Sequence, residues 1–209
     1  MVKLRHCQLS PQAELALQQH AAHEQNLSAL NKEILWQDAV CYTIFMLPYT
    51  QALELALTFI SCVYERDLMQ GQRALLQQVR RWRVDGGDPL RHELFEQAQT
   101  VGFDNPISCL VLSVFWSEGS MTTPDLEAVY PQPWQSLAAL ADTLCLILHI
   151  YGEQPERQMQ YVEQFFQLAH GQLRQLSPSQ DQGRKNYLYH TMKPHYQENN
   201  DANASRPCG

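Results

Sequence analysis

Apolar residues along this chain recur at spacings of three and four and almost never alternate, a pattern of amphipathic helices with little strand signal. Ser10 followed by Pro11 reads as a cap and first helical position, and Ala13, Ala16, His20, His23, Leu27 and Leu30 then mark one face of a first helix. A second helix is predicted over 32–46, stopped by Pro48, which disfavours helix in the residue before it. Thr50 is placed to cap a third over 51–64, apolar on most sides (Leu53, Leu55, Leu57, Phe59, Ile60, Val63) and so expected to be central. The fourth, 66–83, turns Leu68, Leu75, Leu76, Val79 and Trp82 inward before Gly86-Gly87 breaks the chain. Asp88-Pro89 opens a fifth over 89–101, closed by Gly102 in a left-handed cap, and Asn105-Pro106 opens a sixth over 106–116. A seventh covers 136–151. An eighth covers 156–176, with Met159, Val162, Phe165, Phe166, Ala169, Leu173 and Leu176 inward. The pattern predicts an all-α fold, a single irregular bundle of about seven or eight helices over residues 1–176.

Two segments depart from that rhythm. Residues 177–209 are polar and read as a flexible tail, disordered over 198–209, in which Tyr187, Tyr189 and Tyr196 are scattered aromatics suited to docking. The connection 117–133, punctuated by Pro124, Pro131 and Pro133, is long for a compact domain, where such loops are functional or packed on themselves. It follows Phe115-Trp116-Ser117-Glu118-Gly119-Ser120-Met121, a large aromatic at a helix end beside a small-residue turn. Trp116 is expected inside the bundle, pinning the bend, with truncation to alanine costing about 3–5 kcal/mol. Trp134 is placed to close the loop from its other end.

Composition narrows the function. The chain has 209 residues, 44% of them hydrophobic and 18% charged, with a net charge of −7. No basic surplus exists to neutralise phosphates, so nucleic acid is not an expected partner. Arg80, Arg81 and Arg83 are better explained by a helix C-terminus. The opening residues lack the apolar core of a secretory signal, and no run approaches the ~18 apolar residues of a membrane span. Six cysteines, at positions 7, 41, 62, 109, 145 and 208, form no Cys-x-x-Cys pair; reduced thiols and a cytoplasmic location are expected.

Candidate chemistry is sparse. His20 and His23, three apart on a helix, suit a metal only with further ligands, for which Glu24 and Cys7 are the nearest choices. His149 and His170 read as core or helix-end histidines. Ser117-Glu118-Gly119-Ser120 follows a helix and lacks the Gly-x-Ser-x-Gly order of a nucleophile elbow, so its serines are expected to bond turn backbone. Gly86-Gly87-Asp88-Pro89 lacks the glycine spacing of a phosphate-binding loop. Glu118, Asp125 and Glu127 make the long loop acidic. No cofactor-binding pattern is present.

Met46-Leu47-Pro48, Gln51 to Ala56, Phe115 to Met121 and Pro131-Gln132-Pro133-Trp134 together resemble an uncharacterised family of helical bacterial proteins over about residues 44–172. Members often carry a leucine-proline pair before an Ala-Val-Trp-Trp-Ala-type helix, a Trp-Ser-Gly-Gly-Ser-Leu-like turn and a proline-rich loop. Here Glu54 and Leu55 stand where tryptophans are common, and Glu118 replaces a glycine. The resemblance implies an accessory role in bacterial protein secretion, of the type VI kind, and no enzymatic activity. The resulting expectation is a non-enzymatic protein that binds another protein through Trp116, Glu118, Met121, Tyr130 and Trp134, without membrane insertion. The alternatives are a metal-assisted or serine hydrolase and an immunity or antitoxin-type binding protein.

Overall fold

The computed structural model describes residues 6–18, 21–123 and 125–176. Among them run nine α-helices and no strand: α1 (Pro11–Ala16), α2 (His23–Lys32), α3 (Trp36–Met46), α4 (Tyr49–Val63), α5 (Gln70–Asp85), α6 (Asp88–Val101), α7 (Pro106–Phe115), α8 (Gln135–Ile150) and α9 (Pro155–Arg174), with a 3-10 turn at Glu65–Asp67. The fold is an all-α irregular bundle, as the spacing predicts. All nine helices belong to one compact unit, Met1–Gln175. The tail read at 177–209, with its three tyrosines, lies outside the described residues, as does His20.

Helix α8 is the hub. It packs against α3, α4, α7 and α9, and buries Ala139, Leu140, Ala141, Leu144, Ile147 and Leu148. Helix α4 is buried on most sides, as its all-round apolar sequence requires. Phe59 of α4 meets Phe165 of α9 edge-on at 6.0 Å, the geometry aromatic quadrupoles favour. Every residue assigned inward on the fourth helix is buried: Leu68, Leu75, Leu76, Val79 and Trp82. On α9 the stripe holds from Val162 to Leu173, but Met159 is exposed.

The first two helices differ from expectation. The single helix read from Ser10 to Leu30 is broken in two, with Leu17 extended (φ −78°, ψ 127°). Asn26 is responsible. Its Oδ1 accepts from the Gln18 amide at 2.9 Å, and its Nδ2 donates to the Gln18 carbonyl at 3.1 Å and to the Tyr42 hydroxyl at 3.1 Å. A side chain that satisfies both backbone groups of one residue substitutes for the helical ladder there. The second predicted helix begins four residues late, at Trp36, because Ile34 adopts a positive φ of 59°. The Leu35 amide then returns to the Leu30 carbonyl at 2.9 Å, a tight close to α2.

Caps follow the reading more closely. Ser10 accepts from the Ala13 amide at 3.1 Å, and Asn105 accepts from the Ser108 amide at 3.0 Å. Gly102 ends α6 with a positive φ (+95°), but its ψ of 151° is extended and not that of the left-handed cap expected. Helix α4 starts at Tyr49 on Pro48, and Thr50 does not cap it. Asn105 is buried, and its Nδ2 also donates to the Gly102 carbonyl (2.8 Å) and the Ser108 hydroxyl (3.0 Å). Asn105→Ala therefore removes three bonds and is expected to cost about 2 kcal/mol, the upper end for a cap. Urea unfolding checks this: the midpoint should fall with an unchanged slope.

Candidate functional site

The loop 117–133 is held by a residue the sequence reading passed over. Arg91 lies on the same stripe of α6 as Leu94 and Ala98, which face the core, so its side chain enters the protein and is fully buried. A buried guanidinium is tolerable only with its donors satisfied. Here Nη1 donates to the Phe115 carbonyl at 2.5 Å and Nη2 to the Ser120 carbonyl at 2.6 Å. Nε donates to the Asp88 carboxylate at 3.0 Å, and Nη2 also donates to Nε2 of His92 at 3.1 Å. The Phe115 carbonyl is at the end of α7, where no helical N–H remains to meet it. One side chain thus closes a helix end and fixes the loop that leaves it.

Phe115 is the aromatic anchor of this corner. Its ring stacks on Phe95 at 4.2 Å and receives His92 edge-on at 5.3 Å, and the Arg91 guanidinium carbon lies 4.9 Å from its centre. Gly119 passes over the ion pair with φ +68°; a Cβ there would sit 2.5 Å from Asp88 Oδ1 and 2.7 Å from Arg91 Nη2. Glycine is required by conformation and by space at once.

Beyond the clamp the loop folds on itself. The Met121 amide donates to the Val129 carbonyl at 2.7 Å. Ser120 Oγ accepts from the Thr122 and Val129 amides, each at 3.1 Å. The Thr122 hydroxyl donates to the Glu127 carbonyl at 2.8 Å, and the Ser120 and Thr122 hydroxyls share a further hydrogen bond at 2.8 Å. At the far end the Gln132 amide donates to Gln135 Oε1 at 2.6 Å. Ser117 donates to the Val114 carbonyl at 2.8 Å. Both serines therefore bond backbone groups, as read from the sequence.

Two groups at this corner titrate away from their ordinary range. Burial pushes the Tyr49 phenol up, with Glu118 acting in the same sense and the Ser113 and Ser117 hydroxyls opposing. The Thr123 hydroxyl, and then its own backbone amide, hold the exposed Asp125 carboxyl low.

The five residues expected to bind a partner are dispersed along this frame. Glu118 and Tyr130 are exposed, while Trp116, Met121 and Trp134 are half-buried. Trp116 corrects the expectation of an indole inside the bundle. The apolar stripe of α7 runs through Val111, Val114 and Phe115, and position 116 is already the C-cap at the edge of that stripe. Phe115 and Arg91 do the pinning assigned to it. Trp134 precedes α8 and stacks flat on the His6 ring, centroids 4.9 Å apart. Leu126 (62% exposed) and Val129 (47%), which the sequence did not single out, are, like Tyr130 (68%), large apolar side chains in water.

Nδ1 of His23 shares a 2.8 Å hydrogen bond with the Tyr42 hydroxyl. Among the described residues no group of three or more His, Cys, Asp or Glu side chains is arranged to hold a metal ion. His149 is exposed in the last turn of α8, so only its helix-end reading fits. Gly86 and Gly87 form the turn between α5 and α6. Among the described residues no helix is long and apolar enough to cross a membrane.

No curated protein and no solved structure matches the chain. A protein-family profile matches residues 26–170, from within α2 to within α9 and including the whole clamped loop. That match covers more than half of the sequence, and the chain belongs to DUF6931, a family of unknown function.

Proposed function

We propose that this is a non-enzymatic, cytoplasmic interaction protein that binds another protein through the 117–133 loop. The observation that carries the reading is the combination of a pre-ordered backbone and an apolar tip. Leu126, Val129 and Tyr130 are exposed on a loop whose backbone is closed by Ser120, Thr122 and Arg91. Ordering a loop before binding lowers the entropy lost on association, and exposed aromatics are efficient anchors. Glu118, Asp125 and Glu127 are exposed on the same loop, on a chain of net charge −7. The fitting partner surface is an apolar pocket with a basic rim, for which complementary charge speeds encounter. The turn at Trp116 to Met121, through its resemblance to secretion-associated proteins, makes a type VI secretion component the first partner to test.

Capture from the host with tagged wild-type chain, and with Tyr130→Ala and Leu126→Ala, tests this. Both side chains are solvent-exposed, so folding is expected to be unchanged while affinity for one identified partner falls about tenfold or more, as for an interface anchor. Leu15→Ala, at an 87% exposed site on α1, serves as the control and should retain that partner. Full retention after deletion of residues 119–132 contradicts the proposal.

A further inference from the structure

The turn between α2 and α3 carries a cost that the fold does not recover. The Leu35 amide donates to the Leu30 carbonyl at 2.9 Å and the Ile34 amide to the Asn31 carbonyl at 3.0 Å. With Glu33 as the C-cap of α2, these are the two bonds of a Schellman motif, and Ile34 holds its left-handed position at φ 59°. Glycine is the usual residue there and asparagine the next, because a Cβ at positive φ crowds the following carbonyl oxygen. A β-branched side chain makes that crowding worse. Apart from Gln8, every other described residue with a positive φ is a glycine. Burial does not offset the strain, since Ile34 is 70% exposed. Leu35 and Trp36 beside it are half-buried, so the turn presents an apolar knob. A residue that strains the backbone and leaves its apolar surface in water points to a contact outside the folded chain.

The charges beside the knob indicate what makes that contact. Lys32 and Glu33 precede it, both exposed, and neither forms an ion pair with another described residue. One charge of each sign next to an apolar centre is self-complementary. A two-fold axis beside Ile34 sets Lys32 of one copy toward Glu33 of the other, and does so twice. The pair is electrically neutral on a chain of net charge −7, so two copies can approach here without the repulsion that the net charge imposes elsewhere.

We propose that Ile34 anchors a two-fold dimer of this chain, with the two Ile34 side chains meeting at the axis and Lys32 and Glu33 pairing reciprocally across it. The small area of a single turn places the contact among weak, reversible interfaces. The inference concerns the α2–α3 turn and is independent of the role of the 117–133 loop.

Sedimentation equilibrium of the full-length chain over a wide range of concentration tests this, under reducing conditions so that the exposed Cys62 cannot cross-link copies. The average mass of the wild-type protein is expected to rise with concentration from one chain toward two. Ile34→Asn should lower the affinity about tenfold or more, as for an interface anchor. The same variant should melt no lower than wild type, because asparagine tolerates the left-handed position. Glu33→Lys alone should weaken association about tenfold, since the axis counts the change twice, and adding Lys32→Glu should restore it. A wild-type mass that does not change with concentration overturns the proposal and leaves Ile34 to a partner of other chemistry. A dimer that survives Ile34→Asn, or a charge exchange that restores nothing, overturns it too. Melting of Ile34→Asn below wild type would show that the side chain serves the fold, which also contradicts it.

Discussion

Replacing Arg91 with alanine is expected to destabilise the bundle by about 3–5 kcal/mol, a large part of the stability of a domain this size. The change removes the charge, so no uncompensated cation is left behind. What remains is the Phe115 carbonyl and the Ser120 carbonyl, each without the donor it had at 2.5 and 2.6 Å. An orphaned buried acceptor costs about 1–3 kcal/mol. The space vacated beside Phe115 and His92 adds a cavity term. Asp88 contributes little to the loss, since its side chain is 59% exposed and rehydrates. Arg91→Met separates the two causes. It fills most of the volume but donates nothing, so it should recover the cavity term alone; wild-type stability in that variant would show that the hydrogen bonds are not what holds the loop. Chemical denaturation of the three proteins provides the comparison.

Gly119→Ala is expected to cost about 2–4 kcal/mol, for two separable reasons. A residue with a Cβ is strained by about 1 kcal/mol at positive φ. The rest arises because that Cβ would stand 2.5 Å from Asp88 Oδ1 and 2.7 Å from Arg91 Nη2, so the ion pair must move. Gly86 supplies the control within the same chain: its φ is +66°, and nothing lies within 4 Å of its Cβ position. Gly86→Ala should therefore show the strain alone. In an Arg91→Ala background the penalty of Gly119→Ala should shrink, since part of the obstruction is gone. Contacting residues are non-additive in this way, whereas independent sites add. An undiminished Gly119→Ala penalty in the Arg91→Ala background would mean that the glycine serves conformation only, with no clamp beneath it.

The contrast between what was legible and what was not follows from the range of the forces. The inward faces of α5 and of most of α9 were readable because burial of an apolar stripe is decided by spacing along one helix. Asn105 was readable because caps are local. The end of α1 at Ala16 was not, because it depends on Asn26 reaching back to Gln18 and across to Tyr42 of α3, a tertiary event. Ile34 gave no sign of its positive φ, since a β-branched residue is among the least suited to it. Arg91 left a trace that was open to reading: an arginine in register with Leu94 and Ala98 predicts either a defect in the stripe or a buried cation with partners. Its partners, on α7 and in the loop, lie 24 and 29 residues away. The loop was recognised as unusual from its length and prolines, but Trp116 drew the attention due to Phe115, one position earlier and on the buried side of α7.

Amide hydrogen exchange of Met121, Thr122 and Val129, followed residue by residue in the free protein, tests most directly whether the loop is ordered before it meets anything. These three amides donate to the Val129 carbonyl and to Ser120 Oγ. A loop clamped by Arg91 predicts exchange at least about 100-fold slower than in an unstructured chain, an opening free energy of about 2.7 kcal/mol or more, and loss of that protection in Arg91→Ala under conditions where the helices remain protected. Exchange of all three at the unstructured rate in the wild-type protein would contradict it.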